Sequence, residues 1–293
     1  MSLTSDEITS QPGIWREALA SHRGRAADLL RMPGARVLVL GCGTSAFVAE
    51  SFAALRESAG LGVTDAAYAS EPWPWRDYDA VIALSRSGTT TEVIAALDAL
   101  PKGVRTIAVT GVPDSPVADR VDDVLLLDFA DEKSVVQTRF PTTFLLLARA
   151  AFGEDVDDLP DRAERALGEP LGIDTAAYSH FVYLGTGWTY GLAQEAALKI
   201  REAAQAWAES YPLLDYRHGP LAVADERSLV WMIGRTEQTL IDDVERVGAT
   251  VIARGDDPLI ELANAQRLAV DIAAHRGLNP DEPRNLTRSI VLS

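Results

Sequence analysis

Cysteine, histidine and positive charge are scarce in this chain, and each scarcity closes off a class of protein. Cys42 is the single cysteine among 293 residues. No intramolecular disulfide can form, and no cysteine-based structural metal site can be assembled. The four histidines lack the spacing of metal ligands, and Asp122-Asp123 and Asp256-Asp257 read as solvated turns. Neither a metal nor a cofactor is expected. The formal charge is -16, whereas nucleic acids and anionic membranes are met by basic patches, so neither is an expected partner. A phosphorylated small molecule needs only local donors and stays open. No apolar run reaches the roughly 18 to 20 residues of a membrane span, and no signal-peptide pattern precedes the first apolar run. A soluble, cytoplasmic protein is expected.

What is present is apolar surface in quantity. With 47% hydrophobic residues the chain can bury a large core as one large or two modest α/β domains. Residues 4–35 predict a helical lead-in too short and too acidic to bind DNA. Short apolar runs then alternate with helical stretches. Strands are expected from Val37 to Leu40, near 67–70, over Ala80–Leu84, over Arg105–Thr110 and over 124–128. That alternation means a parallel sheet covered on both faces. After an acidic linker near 153–173 the pattern restarts at Phe181-Val182-Tyr183-Leu184-Gly185-Thr186-Gly187. Further strands are expected at 228–233, 250–253 and 267–270. The expected architecture is a lead-in (1–35) and two tandem doubly wound, flavodoxin-like units (36–153 and 174–293). The two units would pack on each other as a pseudo-dimer.

The chain is organised around Ala80-Val81-Ile82-Ala83-Leu84-Ser85-Arg86-Ser87-Gly88-Thr89-Thr90-Thr91-Glu92. A buried strand ends in a hydroxyl cluster and passes at once into a helix, where free N–H groups and the positive helix end favour an anion. One hydroxyl would serve as an ordinary N-cap; five among seven residues exceed that need, and phosphate is the best guess. Gly41-x-Gly43-x-x-Ala46 also fits a loose dinucleotide fingerprint with Glu71 downstream. The hydroxyl-rich turn has no place in that reading, and Tyr190 would obstruct it in the second half. Glu195, Lys199 and Glu202, spaced i, i+4 and i+7, share one face of an Ala-rich helix. The bland reading is a solvated salt bridge; a buried carboxylate beside a lysine could instead serve as a general base. His218, in His218-Gly219-Pro220, is held at a turn in a loop rich in acidic, basic and aromatic groups.

Six motifs in order resemble the sugar isomerase (SIS) family, in particular its glucosamine-6-phosphate synthase isomerase branch. They are Glu7-Ile8-x-x-Gln11-Pro12; Gly41-Cys42-Gly43-Thr44-Ser45; Ser85-x-Ser87-Gly88-x-Thr90; Glu195-x-Ala197-Leu198-Lys199-x-x-Glu202 with Ala208-Glu209-x-Tyr211; His218-Gly219-Pro220-Leu221-Ala222; and Asp281-x-Pro283-Arg284-Asn285-Leu286-x-x-Ser289. The resemblance implies that Ser45, Ser85, Ser87 and Thr90 hold a sugar 6-phosphate, with Thr44, Val135 and Gln137 at the sugar. It implies Glu202 as the base that moves a proton between C1 and C2, and Lys199 near the reacting end. His218 would assist ring opening from a neighbouring subunit, so a homodimer is implied.

Arg288 stands where that branch has a tail lysine. A guanidinium stays protonated and does not readily form a Schiff base. Arg86 adds a cation to the phosphate loop and is expected either to strengthen phosphate binding or to admit a more anionic substrate. No amidotransferase half is expected, hence no glutaminase activity. The resemblance implies a phosphosugar aldose–ketose isomerase, deaminating or not, on an amino- or amine-linked hexose 6-phosphate. The alternative is a non-catalytic sugar-phosphate-binding regulator, which would need the hydroxyls but not Glu202, Lys199 and His218.

Overall fold

The computed structural model describes residues 2–291. Three helices lead in: α1 (Leu3–Thr9), α2 (Gln11–Ser21) and α3 (Arg23–Leu30). Five strands follow: β1 (Val37–Gly41), β2 (Thr64–Tyr68), β3 (Ala80–Leu84), β4 (Arg105–Thr110) and β5 (Asp123–Leu126). They form one parallel sheet in the order β2-β1-β3-β4-β5. β1 and β3 are buried at every position. Their unbroken apolar runs follow from this, because helices cover both faces of the sheet. α4 (Thr44–Ser58) leaves β1, α5 (Thr91–Asp98) leaves β3, and α6 (Arg139–Ala151) closes this half. The strand order turns back between β1 and β3. In open parallel sheets the crevice at such a switch point, beyond the carboxyl ends of the strands, receives ligands. The Gly41–Ser45 turn and the Ser85–Thr90 turn both emerge there.

α7 (Leu159–Gly168) connects to the second half, where β6 (His180–Gly185), β7 (Trp207–Pro212), β8 (Ser228–Met232) and β9 (Thr250–Ile252) form a second parallel sheet. Its order is β7-β6-β8-β9. α8 (Trp188–Ala204) follows β6, with α9 (Gln238–Arg246) and α10 (Pro258–His275) completing the layer. One apolar cluster runs through both halves, from Val37, Val39 and Ile82 to Phe181, Tyr183 and Trp231. α4, α8 and α10 lie between the sheets and supply much of it.

Three expectations are corrected. Residues 267–270 belong to α10, not to a strand. Leu268, Ala269 and Ile272 are buried with Leu262 and Ala265, a helical spacing that a short apolar run conceals. The helix expected to run to Ala208 ends at Ala204, and Trp207–Pro212, of which 209–212 were expected in the loop that holds His218, form the edge strand β7. The 153–173 linker contains α7, whose Leu159, Pro160 and Ala163 are buried while its charged residues face outward. β2 and β5 begin slightly earlier than expected.

α8 crosses α4 closely because position 191 is glycine. A Cβ placed on Gly191 would stand 2.3 Å from the carbonyl oxygen of Phe47 and 2.3 Å from Ser51 Oγ. Gly191→Ala is therefore expected to destabilise the fold by roughly 1–3 kcal/mol through overpacking. This outweighs the advantage of about 1 kcal/mol that alanine has over glycine in a helix. Urea unfolding measures the balance; a stabilised variant would mean that the two helices separate easily.

Candidate active site

A cleft of about 230 Å3 opens at the switch point. Its walls are the Cys42–Ser45 turn, residues 84–87 and Thr90, Val135 and Gln137 from the loop before α6, Glu202 from α8, and the tail segment Leu286–Ile290. Ser45, Ser85, Ser87, Thr90, Thr44, Val135, Gln137, Glu202 and Arg288, which lie far apart in the chain, thus stand at or around one concavity. Lys199 is buried directly beneath it. His218 is not there: it lines a separate depression with Tyr190, Asp215 and Arg235.

The hydroxyl turn is not an ordinary helix cap. Thr90 occupies the N-cap of α5 yet makes no side-chain bond to the helix backbone. Its Oγ1 lies 3.2 Å from Ser85 Oγ. Thr89 Oγ1 donates to Ser87 Oγ at 3.1 Å, so the hydroxyls form a cradle of their own. Gly88 makes the tight turn possible. Its φ of 65° suits glycine, and an added Cβ would lie 2.1 Å from Ser115 Oγ. The N-termini of α4 and α5 converge on the same space, which favours negative charge.

Below the cradle lies a buried ammonium. Lys199 Nζ donates to Glu202 Oε2 at 2.6 Å and to Thr44 Oγ1 at 3.1 Å, and it stands 3.2 Å from Glu195 Oε1. Burial works against the charge on Lys199, but the two glutamates prevail and hold its pKa above the ordinary lysine value. Glu195 is fully buried, and the polar groups that meet its carboxylate are the Lys199 ammonium, 3.2 Å from Oε1, and the Thr44 side chain. Desolvation pushes its pKa up to about 7, against the pull of Lys199 and with the help of Glu202. Glu202 is partly exposed at the cleft wall. Of the two carboxylates, it is the one a ligand can reach.

The second group of charges holds the tail in place. Arg288 donates from Nη2 to both carboxylate oxygens of Asp131, at 2.7 and 2.5 Å, and from Nε to the carbonyl of Glu132 at 3.0 Å. The buried Glu132 side chain accepts from Thr138 N and Oγ1 at 2.5 and 2.6 Å and from Arg139 N at 2.9 Å. Desolvation nonetheless raises its pKa. Glu7, on α1, accepts from Lys133 N at 2.6 Å and from Ser134 Oγ. Arg86, expected at the phosphate, turns its guanidinium to main-chain carbonyls of Ser134 and Arg288, each at 2.9 Å. Asp131 and Glu132 escape notice in the sequence because they read as a polar turn. Only their link to a tail more than 150 residues away reveals what they hold.

The family model described as SIS domain matches residues 29–151. This part of the chain is a SIS domain. The chain is 29% identical to a glutamine–fructose-6-phosphate aminotransferase (isomerizing) of Gloeobacter violaceus, over 98% of this chain and 58% of that protein. The aminotransferase of the same name from Methanothermobacter thermautotrophicus is 30% identical, over 88% of this chain and 52% of its own length. The SIS-domain chain thus spans little more than half the length of these curated relatives. Glucosamine-6-phosphate deaminase of Thermotoga maritima, known as a crystal structure, superposes with a TM-score of 0.87 at 28% identity. That match covers 99% of this chain and 100% of the deaminase chain.

Glu195 makes a pH-dependent contribution to stability whose sign follows from its raised pKa. The folded protein keeps the Glu195 proton between pH 4.5 and about 7, where the unfolded chain releases it. The stabilisation is complete below pH 4.5 and fades as pH rises through about 7. Glu195→Gln, which does not titrate, should gain on the wild type by about 1–3 kcal/mol as pH rises through this window. Unfolding curves at several pH values test this. A constant difference would mean that Glu195 is ionised throughout.

Proposed function

We propose that the cleft binds a hexose 6-phosphate and isomerises it between aldose and ketose forms, acting on an amino- or amine-linked sugar. The observation that carries this reading is the meeting, in one cleft, of a hydroxyl cradle for an anion with a reachable carboxylate joined to a buried ammonium. A regulator needs only the cradle. In this reading Ser45, Ser85, Ser87 and Thr90 receive the phosphate, and Thr44, Val135 and Gln137 face the sugar. Glu202 removes the proton from the carbon next to the carbonyl or imine and returns it to its neighbour. Lys199, held against Glu202, steadies the negative charge that develops on oxygen between the two transfers. When the sugar carries nitrogen at C2, the shift leaves a C2 imine. Water adds to it, ammonia departs and the ketose remains. Arg288, paired with Asp131, supplies a fixed cation at the wall and no covalent step.

Fructose 6-phosphate and glucosamine 6-phosphate, named in the relatives' descriptions, are the first substrates to examine. His218 sits outside its own chain's cleft. We infer a homodimer in which the partner's His218 completes the site and assists ring opening. The two similar sheet-and-helix halves, 36–153 and 174–293 behind the 1–35 lead-in, are read as repeated units packed as a pseudo-dimer.

The test is turnover of glucosamine 6-phosphate, galactosamine 6-phosphate and fructosamine 6-phosphates, following both ammonia and ketose. Glu202→Gln should lower kcat by a factor of about 100 to 10,000, the usual worth of a positioned base, while binding of the sugar phosphate persists. Ligand-induced stabilisation without turnover in the wild type would replace the enzyme reading with that of a sensor.

A further inference from the structure

The guanidinium of Arg86 belongs to the phosphate loop by sequence but not by direction. Arg86 is 2% exposed. Its Nη1 donates to the Ser134 carbonyl and its Nη2 to the Arg288 carbonyl. Its own carbonyl accepts from Gly111 N at 2.9 Å and from Thr110 Oγ1 at 3.2 Å, which fixes the residue's main chain at the end of β4. Charged groups surround the guanidinium: Glu132, Asp131 and Glu7 on one side of the balance, Arg288 on the other. A phosphate on the Ser85–Thr90 hydroxyls would meet this residue's main chain, while its charge lies among carboxylates and carbonyls.

Two segments that wall the cleft end on this one side chain. The loop carrying Val135 and Gln137 is gripped at Ser134, and the tail is gripped at Arg288. The tail also touches the phosphate loop through Ser289 Oγ, at 3.1 Å from Ser87 Oγ and 2.8 Å from Thr89 Oγ1, and the start of α5 through Ile290 O, at 3.3 Å from Thr91 N. The Ser289 contacts engage cradle hydroxyls that an arriving phosphate would also use. The Arg86 contacts do not compete with a ligand and can persist when the cleft is filled.

We propose that Arg86 is a positioning residue that clamps the tail and the 134–137 loop onto the phosphate loop, and that it does not bind the phosphate. The proposal rests on the phosphosugar reading for the role of the cleft, but the clamp can be observed without it. The arginine suits the task because a planar fork of N–H donors reaches two carbonyls at once, which an ammonium does less well. Its position inside the hydroxyl turn places tail, loop and cradle in one rigid unit.

The experiment compares wild type, Arg86→Gln and Arg86→Lys by hydrogen exchange of peptides covering 133–138 and 284–291, and by calorimetric titration with inorganic phosphate and fructose 6-phosphate. In Arg86→Gln, exchange in both segments should quicken by about tenfold or more as local opening becomes easier. Affinity for inorganic phosphate should change by less than about threefold, because no charge-assisted bond to the anion is lost. Arg86→Lys should fall between, and it decides the matter if the glutamine variant does not fold. With a hexose 6-phosphate that is turned over, kcat should fall by about tenfold or more and KM by less than threefold, since misplaced walls affect the reacting geometry rather than the phosphate. Phosphate affinity falling tenfold with exchange unchanged would overturn the proposal and make Arg86 a ligand. Unchanged exchange in both variants would overturn it as well. If the wild type binds neither probe, the phosphosugar reading fails, and the exchange result still decides the clamp.

Discussion

A protonated amine without water around it is the constraint on which this molecule turns. Lys199 is buried on α8, and the oxygens that meet its ammonium arrive from two directions. Glu195 and Glu202 come from its own helix and Thr44 from the first turn of α4. A buried charge deprived of such partners costs several kcal/mol, so the registration of α8 against α4 is set by chemistry as well as by packing. At the other end of the crossing, Gly191 lets the helices touch through main-chain atoms. Between these two points the second half of the chain is fastened to the turn that opens the first half's cleft. Glu202 reaches that cleft because the helix has no freedom to carry it elsewhere.

The tail obeys a similar rule with the signs exchanged. Glu7, Asp131 and Glu132 gather near Arg86, Arg139 and Arg288, so that a chain with a large overall excess of negative charge has a locally balanced core of polar bonds beside its crevice. Net charge governs what approaches from a distance; the orientation of a few donors governs what stays. Hydroxyls and helix ends can thus favour an anion here although the molecule as a whole is acidic.

The parts of the fold that the sequence shows clearly are those where burial is continuous. β1, β3 and β8 are buried at every position, and their apolar runs are hard to mistake. β7 escaped because an edge strand carrying Glu209, Ser210 and Pro212 presents no such run. Residues 267–270 deceived because four residues are too few to separate a strand from one turn of a helix. At the cleft, the hydroxyl turn and the Glu195–Lys199–Glu202 face are visible as patterns within a few residues of each other. The seat of the tail is not, since Arg288 and Asp131 are 157 positions apart. The direction of the Arg86 side chain is invisible for a different reason: residue identity says that a charge is present and nothing about which way it points.

Leu3 N and Thr4 N both donate to the carboxylate of Asp281 at 2.8 Å, across 278 and 277 positions of chain. Glu7, on the same short helix, grips the loop that carries Val135 and Gln137. The ribosome completes the first sheet and its hydroxyl turn while the anchor for α1 has yet to be made. A closure of this span carries a large loop entropy and belongs to the late events of folding. Until that part of the chain is made, the crevice lacks its tail wall, Leu286–Ile290. A ligand that depends on that wall cannot act as a template for the first half, and can only select molecules whose synthesis has passed residue 281.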